Sequence, residues 1–131
     1  MEKEFVSYEM ALALKELGFN EPCFTYYYND SGKLRTLISV DIYNGWTYFP
    51  NKKSITLAPT FSQAFRFFRE KYRLEGAIYR LNFKWASHVF NIATSTYCFK
   101  HELFETYENA EINSLLKLIE IAKINENIHR S

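Results

Sequence analysis

Few residues in this sequence are of the types that do chemistry, and their spacing argues against most of what they could do. Cys98 and His101 stand close together with Glu102 adjacent, which is a fragment of a metal site. Zinc takes four ligands, and no second Cys or His pair follows at a recognised spacing. On an extended strand, positions 98 and 101 also point to opposite faces. The two cysteines, Cys23 and Cys98, both lie in strand-like text, where a thiol behaves as a small apolar group. Neither stands at a basic helix start that would favour the thiolate. His88 falls in an expected turn and His129 near the end of the chain. The four glycines are scattered singly, so no loop can cradle a phosphate. Glu102 with Glu105, or Glu108 with Glu111, read as charges at a helix start rather than as an acid/base pair. The expectation is a chain without catalytic residues, metal ligands or cofactor, and so not an enzyme.

Binding chemistry remains. Arg66, Arg69 and Arg73 fall on one arc of a helical projection, roughly 80° to 140° from its apolar face at the usual step of about 100° per residue. With Lys71 and Lys84 nearby, they could contact phosphates, and exposed Tyr rings could stack on bases. Ordinary helical pairs of Glu70 with Arg66 and Arg73 account for part of that stripe. Ten Tyr, twelve Phe and two Trp bring the aromatic content to 18%, more than a small core absorbs. Some rings therefore belong on the surface, where aromatic patches mark contact sites. Tyr27 and Trp46 are the candidate anchors.

Charge separates the two uses. The net charge is +1, so no global field gathers nucleic acid. Residues 1–50 carry 4 basic and 7 acidic side chains, residues 51–100 carry 9 and 2, and residues 101–131 carry 3 and 6. A basic block is flanked by two acidic ones. The favoured expectation is a protein-binding module. Nucleic-acid binding through Arg66, Arg69 and Arg73 is the alternative, and a small-ligand sensor a third.

The elements that must position these residues are legible from periodicity. Ser7 caps a first helix in which Met10, Ala13, Leu14 and Leu17 form the apolar stripe, and Gly18 closes it. Strands are expected over 23–28 and 34–43, with Asn44-Gly45 as a hairpin signal into 46–49 and a further extended stretch over 54–57. Thr60 and Gln63 form a capping box after Pro59. Phe61, Ala64, Phe65, Phe68 and Tyr72 then give the central helix an aromatic face. Alternation from Ala77 to Trp85 marks a strand with one buried face, residues 86–88 a turn, and 89–94 and 96–104 further strands. Thr106 caps a long last helix with Tyr107, Ala110, Leu115, Leu118, Ile121 and Ala122 inward, fraying after Asn125.

Together these predict a single α+β domain over 1–131, in the order α-βββ-α-βββ-α. Three helices pack on one face of a mostly antiparallel sheet of five to six strands, and the other face is partly open and tyrosine-rich. No apolar run approaches a membrane span, and Met1-Glu2-Lys3-Glu4 is not a signal peptide. The expected location is the reducing cytoplasm.

The helices carry a resemblance. Ala11-Leu12-Ala13-Leu14-Lys15-Glu16-Leu17-Gly18-Phe19, Glu21-Pro22-Cys23, the run from Ala58 to Arg66, Phe68-Arg69-Glu70-Lys71-Tyr72, and Tyr107-Glu108 with Ala110-Glu111 and Leu118-Ile119-Glu120-Ile121 resemble a family of small uncharacterised proteins. That family recurs in gut bacteria and in their phages and mobile elements. Such relatives often carry Pro at position 7 and Trp at position 67, where this chain has Ser7 and Phe67. The resemblance implies an accessory or host-interference protein and supplies no catalytic residues.

Overall fold

The computed structural model describes residues 4–36, 55–99 and 101–130. It divides into two compact units, Met1–Ser62 and Gln63–Ser131, whose strands form separate antiparallel sheets of three and four strands.

In the first unit, helix α1 (Tyr8–Glu16) starts at Ser7, whose Oγ accepts from the Met10 N–H at 3.3 Å. It ends in a Schellman motif: the Gly18 N–H donates to Lys15 O and the Phe19 N–H to Leu14 O, with Gly18 at φ 93°. That left-handed position suits glycine. Met10, Leu14 and Leu17 are buried as the stripe requires, and Ala11 rather than Ala13 completes it. Strand β1 (Thr25–Tyr28) is central, between β2 (Leu34–Thr36) and β3 (Ile55–Ala58). All four β3 residues are buried. Its neighbouring hydroxyls are satisfied: Thr25 Oγ1 donates to Ala58 O and Thr56 Oγ1 to Asn29 Oδ1, each at 2.6 Å, as burial of polar groups demands. The Asn44-Gly45 hairpin and the strand expected over 46–49 lie outside the described residues.

Helix α2 (Phe61–Tyr72), which lies in the second unit from Gln63 onward, buries Ala64, Phe65 and Phe68 as its aromatic arc requires. Phe67 is buried too. It lies off that arc, packed edge-on against Phe68 and Tyr72. Strands β4 (Leu74–Leu81) and β5 (Lys84–Asn91) form a hairpin in register from Leu74↔Asn91 to Leu81↔Lys84. The alternating stretch is therefore two strands and not one, and residues 86–88 lie inside β5 rather than in a turn. The chain reverses at Asn82-Phe83, both at positive φ (50° and 70°), the pattern of a two-residue type I′ turn. Phe83 has strong strand preference and continues the alternation, which hides the turn from a periodicity argument.

On the other edge of β5 lie two short strands, β6 (Thr96–Tyr97) and β7 (Glu102–Phe104). Helix α3 (Tyr107–Arg130) starts where the Thr106 Oγ1 accepts from Asn109 N–H at 3.1 Å. It runs past Asn125 to Arg130, so the end does not fray where expected. Ala110, Ser114, Leu115, Leu118, Ile119 and Ala122 are its buried residues. Tyr107 and Ile121, expected inward, stay partly exposed. Phe65 of α2 and Ser114 of α3 both close on Gly76 of β4, and Ser87 Oγ donates to Asn113 Oδ1. Both helices thus cover one face of the four-stranded sheet. The α+β class and the order of helices and strand groups stand. The difference is that the described strands divide between two sheets instead of forming one.

Candidate interaction surface

Strand alternation assigns side chains to the two faces of the second sheet. Gly76, Ser87 and Val89 point to the helices, so Ala77 and Tyr79 of β4 and His88 and Phe90 of β5 point away. Tyr97 of β6 sits opposite Phe90, their rings 5.2 Å apart and edge-on. His88 lies at the middle of this group. Its ring is 4.6 Å from Tyr97, 5.3 Å from Tyr79 and 5.2 Å from His101, and Tyr79 Oη lies 3.2 Å from its Nδ1. Burial, and then the neighbouring His101, hold the His88 imidazole below its ordinary proton affinity. Tyr97 is 65% exposed. This is an open aromatic face of the kind the tyrosine count implies.

At the end of the β4–β5 hairpin stands Phe83, 90% exposed at φ 70°. An L-residue there costs roughly 1–2 kcal/mol, and a ring that touches almost nothing recovers none of it. Periodicity reasoning missed this residue. The signal available was Asn82, a residue tolerant of positive φ, placed between two runs of strand residues.

The residues singled out from sequence fare differently. Arg66 is exposed and Arg69 half-buried on α2, whereas Arg73 has left the helix at φ 58° and its carbonyl accepts from the Ile92 N–H at 2.9 Å. The three do not continue as one helical stripe. Tyr27 is 9% exposed and donates its hydroxyl to Val6 O at 2.6 Å, with its ring against Tyr8. It is a core residue rather than an anchor. Tyr27→Phe should cost the first unit about 1 kcal/mol, since Val6 O loses a buried donor. Urea unfolding read by circular dichroism checks this, and an unchanged midpoint would show that water replaces the hydroxyl. Trp46 lies outside the described residues.

Charge on the open face is sparse. Lys84 is engaged by Glu105 at 3.2 Å, and Arg80 turns to the helix side, 5.1 Å over the Trp85 ring. Cys98 is half-buried, and burial pushes its thiol up, away from the thiolate. Among the described residues no group of three or more His, Cys, Asp or Glu stands together as a metal-ion set, and no helix is long and apolar enough to cross a membrane. No family model, curated protein or solved structure matches this chain.

Proposed function

We propose that this chain is a non-catalytic protein-interaction module of the accessory or host-interference kind, docking its partner through the β4–β5 hairpin tip and the adjoining open face. The observation that carries the reading is Phe83. A two-residue turn of this type favours glycine at that position, and backbone strain held at an exposed residue points towards a use for its side chain. A large ring held out in water is the form of an anchor that fills a pocket on a partner. The open face beside it offers rings, but its lysine is already paired with a carboxylate. That composition suits an apolar or aromatic polypeptide segment better than a phosphate backbone. A protein of a phage or mobile element, as the helices' resemblance implies, would act through such contacts.

Phe83→Gly separates stability from binding. Relief of the left-handed strain, offset by the extra freedom of glycine, should raise stability by about 0.5–1 kcal/mol. Peptides selected on the immobilised wild-type protein from a random displayed library should bind the variant at least tenfold more weakly. They should bind Arg66→Gln/Arg69→Gln/Arg73→Gln as they bind wild type. Peptides that fail to distinguish Phe83→Gly from wild type would overturn the reading. Binding of oligothymidylate that falls steeply with salt, and is lost in the triple variant, would replace it with nucleic-acid binding.

A further inference from the structure

The four-stranded sheet has two unlike edges. On one side it ends in β6 and β7, pieces of two and three residues, and short strands are one way an edge is blunted against unwanted pairing. On the other it ends in β4, eight residues long, without proline or lysine and in unbroken register with β5 from Leu74↔Asn91 to Leu81↔Lys84. Its two charges, Glu75 and Arg80, stand near its ends. The two-residue turn closes on Leu81↔Lys84, and the Ile92 N–H donates to Arg73 O at 2.9 Å. The odd-numbered residues from Arg73 to Leu81 therefore turn their N–H and C=O groups to β5. Val89 O, which accepts from the Cys98 N–H at 2.8 Å on the far side of β5, fits the same phase. The main-chain groups of Gly76, Ile78 and Arg80 point outward. Among the described residues no strand pairs with β4 on that side, and no main-chain bond reaches these three from it. Leu74, next in the series, is fully buried. The open edge thus runs from Gly76 to Arg80, and its midpoint is Ile78.

We propose that β4 pairs antiparallel with β4 of a second copy of this chain, about a two-fold axis through Ile78, so that the two sheets become one. Such an axis stands perpendicular to the sheet and keeps the helices of both copies on one side, so only residues of the same face meet. Centred on Ile78, it sets Gly76 against Arg80 and Ile78 against itself. These are the three residues with outward groups, and each free donor and acceptor finds a partner. On the open face Ala77 meets Tyr79, a small residue opposite a large one, and Glu75 meets Leu81. No charge meets its own kind, whereas a centre at Glu75 or Arg80 would set like charges face to face. Arg80 lies over the Trp85 ring of its own hairpin, which draws it off the Gly76 opposite. A centre at Ala77 would call on the buried Leu74 to pair with Arg80.

A copy of this chain suits the edge better than a foreign strand does. Its β4 is already extended and held by β5, so pairing costs little ordering. Both open edges are satisfied in one closed contact. The outer edges that remain are the short β6 and β7, so growth stops at two chains. The ladder ends at Arg80, short of the Phe83 ring, and does not rest on the docking reading.

Sedimentation of the whole chain from low micromolar to millimolar concentration tests it, with amide hydrogen exchange at the two extremes. Wild type should pass from one chain to two and go no further. The amides of Gly76, Ile78 and Arg80 should gain at least tenfold protection at high concentration, and those of Ala77 and Tyr79, already bonded to β5, should gain less. Ile78→Pro deletes the central outward N–H and no bond to β5. It should raise the dissociation constant of the dimer at least tenfold while keeping the circular dichroism of wild type. Ile78→Lys, which sets like charges together at the axis, should weaken the dimer as well, and less so in high salt. The exchange readings on wild type decide the matter even where a variant does not fold. A dimer whose Ile78 amide gains no protection, or assembly that continues beyond two chains, would overturn the proposal. A wild-type chain that stays a monomer throughout would overturn it in favour of a strand from another protein.

Discussion

Phe68→Ala should lose about 3–5 kcal/mol of folding free energy, the usual range for a buried aromatic ring cut back to a methyl group. Phe68 has no exposure and is the largest of the fully buried side chains among the described residues. Its ring packs against Phe67 at 5.3 Å and Tyr72 at 5.8 Å, so its removal leaves a void bordered by rings with few rotamers to fill it. Domains of this size hold only ~5–15 kcal/mol in all. The variant should therefore unfold at a much lower urea midpoint, with loss of the cooperative transition in the second unit as the extreme. A midpoint within experimental error of wild type would mean that the ring is not in the core.

Gly76→Ala should destabilise as strongly as many core truncations, although it adds a single carbon. A Cβ at Gly76 would stand far inside contact distance of Phe65 Cε1 and 2.6 Å from Ser114 Oγ. Neither atom is the free end of a flexible chain, since Phe65 and Ser114 are both buried. Overpacking of this kind costs typically ~1–3 kcal/mol. Here two helices must move off the sheet together, so the upper part of that range is expected. Gly76→Ala/Ser114→Gly, which removes one of the two obstacles, should recover part of the loss in a thermal melt. If the single variant melted with wild type, the approach of α2 and α3 to β4 would be looser than described.

The helices were legible because their punctuation is local. Ser7, Gly18 and Thr106 act through bonds to residues three to five positions away, and each does what its type suggests. The aromatic arc of α2 was equally plain. Phe67 was not, because a one-face projection assigns it to water, whereas its ring packs edge-on against Phe68 and Tyr72 of the same helix. Ser114 escaped for a related reason: a buried serine becomes intelligible only with its acceptor, His88 O, on another strand. In the sheet, period-two reasoning found the residues of the β4–β5 hairpin but not its turn, since Asn82 and Phe83 extend the alternation in text while reversing the chain in space. The candidate site was legible only as an excess of tyrosine and phenylalanine. Which rings are open depends on strand pairing, and Tyr27, named as a candidate anchor, is instead tied to Val6 O.

The pairing of β7 with β5 (Ser87↔Glu102) is offset by two residues from that of β6 (Phe90↔Tyr97), and this offset sets a rule for length changes in this part of the gene. Because the offset is even, both segments keep the same inside–outside parity relative to β5. In-frame duplication or loss of two codons between β6 and β7 would leave Tyr97 and Leu103 facing as they do now. A change of one codon would force one flanking segment to turn its outward residues towards the helices, unless the connection absorbs the mismatch. Natural variants and grafted insertions at this position should therefore be tolerated by parity before they are tolerated by composition.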